Sequence, residues 1–155
     1  MVAAYVFLFY TSQLFFKNSI TSKLHNKSVH SIIYIVVLDA LAYWLSLNIS
    51  DIQLSNRVLH AFGGGFLAFF VCFRVAKDAK LPVNKFQFFV ASSLIVISLG
   101  VANEIIEFFL QNYSNLHIVF APTINDTWLD LVSNTVGAFI ASVCFVPFIK
   151  SAKNV

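Results

Sequence analysis

The sequence predicts an all-α, polytopic membrane protein, a bundle of about five transmembrane helices. Three observations carry that expectation. Of 155 residues, 59% are apolar or aromatic and 11% are Asp, Glu, Lys or Arg, against roughly 25% charged in a soluble domain. The apolar residues form runs long enough to cross a bilayer, with no heptad repeat. The few charges gather mainly between those runs. So little polar surface cannot cover a water-facing exterior, and a lipid bilayer is the expected solvent. Disorder, collagen-like repeats, coiled coils and a basic nucleic-acid module are excluded, so no nucleic-acid partner is expected. The net charge of +3 comes from lysines flanking apolar segments and reads as a topology signal.

The expected spans cover approximately residues 2–20, 31–47, 58–75, 86–110 and 129–149, within a single transmembrane domain over 1–155. A crossing takes about 20 residues, with about 17 as a practical minimum. The last three runs are long enough and the second is marginal. The first, Val2–Phe16, reaches that length only if Lys17 snorkels and the helix continues to Ile20. No basic residue precedes it and no small-residue cleavage site follows, so it reads as a retained helix rather than a signal peptide. Leu81-Pro82-Val83-Asn84 makes a short turn, and Gln111 to Trp128 is the longest connection. Cys72 and Cys144 sit inside apolar runs, where packing accounts for them.

Orientation follows from the basic residues. Lys17, Lys23, Lys27, Arg74, Lys77, Lys80, Lys85, Lys150 and Lys153 fall on one side of a five-span chain, and Arg57 alone on the other. The positive-inside rule therefore expects a cell-membrane protein with its N-terminus outside and its C-terminus cytoplasmic.

A charged side chain deep in the bilayer costs about 2.5–3.5 kcal/mol on the insertion scale, so charges within spans point to function. Glu104 and Glu107 lie near the outer end of the fourth span, Asp126 and Asp130 at the start of the fifth, and His60 at the opening of the third. All five share one layer in the outer half of the membrane. Asp130 and Asn134 stand about 40° apart on a helix, with Gly137 on the same stripe. Gly63, Gly64 and Gly65 follow His60, and among them Gly63 and Gly64, with Gly137, are the expected points of close approach to the backbone. Asp39, near the middle of the second span, and Arg57 are secondary polar candidates.

Several of these residues have ordinary explanations. Asp126 suits the N-cap of the fifth helix, Asp130 complements its dipole, Asn134 can bond a neighbouring helix, and His60 can be an interfacial histidine. Asp39 is a mid-membrane hydrogen-bond partner or a proton site. Glu104 and Glu107 resist such a reading: they sit at the C-terminal end of a helix, repel each other, and are flanked by Ile105, Ile106, Phe108 and Phe109. Protons, a divalent metal ion or a cationic ligand would compensate them.

Three strings are familiar together: Arg57-Val58-Leu59-His60-Ala61-Phe62-Gly63-Gly64-Gly65-Phe66, then Asn103-Glu104-Ile105-Ile106-Glu107-Phe108, then the stretch from Asp126 through Asp130 and Asn134 to Gly137 and Ala138. In that order they resemble the YjdF-like and VanZ-like small membrane proteins, over about residues 55–140. The match is closer to the YjdF-like group, since VanZ-like members tend to carry Glu and Gln where this chain has Glu104 and Glu107. The resemblance implies a helical membrane fold and the same polar residues. YjdF-like proteins have no established activity, and VanZ-like ones are associated with low-level teicoplanin resistance.

Three classes of function stay open. One is an intramembrane enzyme in which a divalent cation on the carboxylates, with or without His60, acts on a lipid or lipid-linked phosphate. Another is a small proton- or cation-coupled transporter. The last is a non-catalytic scaffold whose polar cluster locks helices together. The lack of visible internal repeats weighs against a transporter, and the single Arg57 leaves a phosphate enzyme dependent on its metal for positive charge.

Overall fold

The computed structural model describes residues 1–16, 26–113 and 124–149, and every element among them is helical. They form α1 (Val2–Phe15), α2 (Asn26–Leu47), α3 (Ile52–Asp78), α4 (Lys85–Tyr113) and α5 (Ile124–Phe145), followed by a 3-10 turn over Val146–Phe148. Helices suit this solvent because each satisfies its own backbone polar groups where no water can. Four of them, α2 to α5, are long and apolar enough to cross a membrane.

The element boundaries shift from those expected. The second helix starts at Asn26 rather than residue 31, the third runs 52–78 rather than 58–75, the fourth is Lys85–Tyr113, and the fifth begins at Ile124 rather than 129. Polar first turns cause these shifts, since they dilute an apolar run without breaking a helix. The first helix is shorter than a crossing, at 14 residues. It begins beside the middle of α2, where the Met1 amino group lies 3.7 Å from Asp39 Oδ2. The proposed extension over Lys17 to Ile20, and most of the long connection after Tyr113, lie outside the described residues.

Both ends of α3 are fixed by local hydrogen bonds. Asp51 caps the start of α3 by accepting from Leu54 N at 3.0 Å. At the other end Lys80 takes φ 50°, Leu81 N donates to Ala76 O at 2.9 Å and Lys80 N to Lys77 O at 3.3 Å, the paired bonds of a Schellman stop. Asn84 and Gln87 then form a reciprocal capping box, with Gln87 N on Asn84 Oδ1 at 2.9 Å and Asn84 N on Gln87 Oε1 at 3.0 Å. The turn Leu81–Asn84 thus both stops one helix and starts the next.

The axis of the bundle is α3. Half of its apolar window is buried, against 22%, 17% and 22% for α2, α4 and α5. Toward Asp78 its Phe69 and Phe73 pack edge-on against Phe88 of α4, and Phe73 stacks on Phe145 of α5. Toward Ile52 the packing is through backbone. Over His60–Leu67 the helix widens into π-helical turns, a departure made cheaper by three consecutive glycines, and this segment lies flush against α5. A Cβ on Gly65 would stand 2.2 Å from Asn134 O, and one on Gly137 would stand 1.8 Å from Ala61 O. A Cβ on Gly64 would instead meet the Asn134 side chain, and Gly63, expected with Gly64 and Gly137, is not tightly packed: its Cβ would meet only Leu59 Cδ1 at 3.9 Å.

This seam gives a direct check. Gly65→Ala and Gly137→Ala each force backbone apart and should lower stability by about 3 kcal/mol, the upper part of the overpacking range. Gly63→Ala should be neutral or slightly stabilising. Thermal unfolding of the purified variants in detergent measures the difference, and equal melting of Gly63→Ala and Gly65→Ala would refute the seam.

Candidate functional site

His60 lies four residues after Asn56 and three after Arg57 on α3, so it neighbours both, and all three meet the first turns of α5. Arg57 Nη2 donates to Asp126 Oδ1 at 2.5 Å. Its Nη1 donates to Asp130 Oδ1 and reaches the Asp126 carbonyl at 3.4 Å. Asn56 Nδ2 donates to both oxygens of Asp130, at 3.1 and 3.2 Å. His60 Nε2 lies 3.5 Å from Asp130 Oδ2. Asp130 is therefore fixed by three side chains, and it is 1% exposed. Asp126 is not the N-cap of α5, because the helix already starts at Ile124; it sits in the first turn and its carboxylate turns to Arg57.

Glu104 enters from α4. One ligand atom each from His60, Glu104 and Asp130 lie within 4.8 Å of one another. Thr127, in the first turns of α5, reaches the Glu104 carboxyl group, yet Glu104 Oε1 is buried with no hydrogen-bond partner among the described residues. A buried carboxylate oxygen left unbonded costs more than an ordinary unmade hydrogen bond, so this atom needs an explanation. Glu107, one turn further along, instead accepts from Asn103 Nδ2 at 2.6 Å and stands apart from the three-residue group.

One turn deeper on each helix a second layer repeats the arrangement. Gly64 lies below His60, Gly100 below Glu104 and Asn134 below Asp130. The two glycines make a slot that the Asn134 amide fills: a Cβ on Gly64 would stand 2.0 Å from Asn134 Oδ1, and one on Gly100 would stand 3.0 Å from Nδ2. Asn134 is 4% exposed and its Oδ1 has no hydrogen-bond partner among the described residues.

The fold thus brings together His60, Glu104, Asp130, Asn134 and Gly64, with Arg57 and Asp126 bridged beside them. It leaves Glu107 at the edge and places Asp39 elsewhere, half exposed and nearest to Met1. Sequence reasoning passed over Asn56 and Gly100, although Asn56 sits four residues before His60 and Gly100 four before Glu104. It also passed over a second polar network at the opposite end of α3. There Asp78 Oδ2 accepts from Tyr5 OH at 2.8 Å and from Ser31 Oγ at 2.5 Å. Arg74 Nε donates to Ser31 Oγ at 2.8 Å, and Arg74 Nη2 lies 3.4 Å from Asp78 Oδ1. The four-residue spacing of Arg74 and Asp78 was its available signal.

Residues 24–151 match a family model described as predicted membrane protein (DUF2238). The match contains the whole stretch on which the YjdF-like and VanZ-like resemblance rests and also takes in α2, where no motif was visible; its description carries neither of those names. No curated protein and no solved structure matches the chain.

The bridge at Arg57 is testable by itself. Arg57→Met strands Asp130 in a buried site without its counter-charge and should cost about 3–5 kcal/mol. Adding Asp130→Asn to that variant should recover a large part of the loss, because it removes the stranded charge. Melting temperatures of the single and double variants decide it, and additive losses would show that the two groups are not coupled.

Proposed function

We propose that this chain, which belongs to the DUF2238 family of predicted membrane proteins, is a multi-pass membrane protein that holds one divalent cation between His60, Glu104 and Asp130. The observation that carries the reading is the meeting of three ligand atoms from three different helices within 4.8 Å. Two ligands each about 2.0–2.2 Å from a tetrahedral ion stand roughly 3.4 Å apart, close to the 3.5 Å between His60 Nε2 and Asp130 Oδ2. A third bond from Glu104 would complete the set and could give its orphaned Oε1 a partner. One imidazole with two carboxylates suits zinc or manganese better than the all-oxygen cages of calcium.

The charges support the same reading. Arg57 faces Asp126 and Asp130, while Glu104 and Glu107 have no contacting cation among the described residues. Asn56 and Arg57 bond the Asp130 carboxylate, as outer partners commonly orient a metal ligand. A bound cation would supply Lewis acidity at the level of lipid headgroups, where it would polarise an anionic oxygen of a lipid or lipid-linked substrate. With the basic loops cytoplasmic, the site belongs to the outer half of the bilayer. The likeness to YjdF-like proteins belongs to this reading, since it rests on the same polar strings. A scaffold role accounts for Asn56, Arg57 and Asp126, which are all bonded, and leaves Glu104 unexplained.

Metal-stripped protein should retain one Mn²⁺ or Zn²⁺ per chain on elemental analysis after reloading. At about 100-fold excess over Kd the loaded form should gain roughly 2.7 kcal/mol, read as a raised melting temperature that chelator reverses. Glu104→Gln should abolish both the retained metal and the thermal gain. Identical melting with and without saturating cation would remove the metal centre.

A further inference from the structure

The flank of the bundle between α4 and α5 carries a cavity of about 220 Å³. Its floor is buried and includes Val96, Gly100 and Asn134, while Ile97, Val101, Thr135 and Phe139 form an exposed rim. It extends from Phe89 to Val101 along α4, about 18 Å at the helical rise. Since α4 and α5 are both spanning helices, a groove on their outer flank opens sideways into hydrocarbon. Its upper end comes within about a helical turn of the polar site: Val101 lies one turn before Glu104, and Leu131 is next to Asp130.

We infer that this groove takes one hydrocarbon chain of a membrane lipid whose anionic headgroup sits at His60, Glu104 and Asp130. The occupant is a lipid rather than a free anion, because most of the lining is apolar and the surrounding solvent is acyl chain. Asn134 makes the second, independent argument. It is the polar side chain buried in the wall, one turn below the ligand layer, where a glycerolipid carries its ester carbonyls. Its Nδ2 lies on the Gly100 side, lining the groove, and can donate to such a carbonyl. The headgroup end of this inference rests on the metal reading above; the chain end rests on the cavity alone.

The test uses full-length protein in phosphatidylcholine vesicles containing phosphatidic acid with a photoactivatable diazirine in one acyl chain. Adducts mapped by mass spectrometry should concentrate on residues 89–101 and 131–139, and unlabelled phosphatidic acid should compete them away. Ser93→Phe, which fills the groove, and Thr135→Phe, which blocks its exposed rim, should each reduce the adducts about tenfold, equivalent to about 1.4 kcal/mol. Adducts spread equally over the exposed face of α2, or unchanged in both variants while these melt like wild type, would overturn the inference. Glu104→Gln separates the two readings. Loss of headgroup competition with groove adducts retained supports the chain site joined to a cation site. Groove adducts that persist, with competition unaffected by Glu104→Gln or chelator, support the chain site and reject the metal reading.

Discussion

The backbone contact between α3 and α5 governs the rest of this structure. Lipid tails are as apolar as leucine, so helices in a bilayer gain little from burying hydrocarbon and associate through close packing and polar bonds. Gly64 and Gly65 on one side and Gly137 on the other remove the Cβ atoms that would hold the two rods apart. The π-helical turns over His60–Leu67 present that glycine surface flush to α5. Once the backbones touch there, the side chains one turn toward the membrane surface are forced into one place. His60 and Asp130 meet because Gly64 and Gly137 allow it, and Glu104 joins them because Gly100 admits Asn134.

The two ends of α3 then treat polar groups differently. At the Asp78 end, each carboxylate oxygen has a partner: Tyr5 and Ser31 on Oδ2, Arg74 facing Oδ1. That network ties α1 and α2 to the axis of the bundle and is complete in itself. At the Arg57 end the accounting does not close. Asp130 is held by Asn56 and Arg57, but Glu104 Oε1 and Asn134 Oδ1 are buried without partners among the described residues. In a low-dielectric setting an unmatched buried acceptor is costly. Among the described residues, the same chain builds a satisfied network and an unsatisfied one at opposite ends of one helix.

Much of this was legible beforehand. Continuous apolar runs bounded by lysines define helices in any tertiary context, because a lipid solvent admits almost nothing else. The layer shared by His60, Glu104 and Asp130 followed from counting spans, and Gly64 and Gly137 followed from small residues on the stripes of His60 and Asp130. Other parts resisted for local reasons. Gly63 could not be told from Gly65, because a change of helical pitch decides which of three neighbouring glycines faces a partner. Asn56 and Gly100 looked unremarkable until opposed to Asp130 and Asn134.

The sequence by itself determined the membrane setting, the helical class and the order of polar residues along each helix, because hydropathy and spacing act along one strand of chain. Only the tertiary structure decided which acids are neutralised and which are not. Asp126 and Glu107 have similar credentials in sequence, yet one turns to Arg57 and the other to Asn103. Glu104 faces the interior with an oxygen unbonded. That partition depends on the rotation of each helix about its axis, which is set by glycine contacts between segments far apart in the chain and has no signature within any single one.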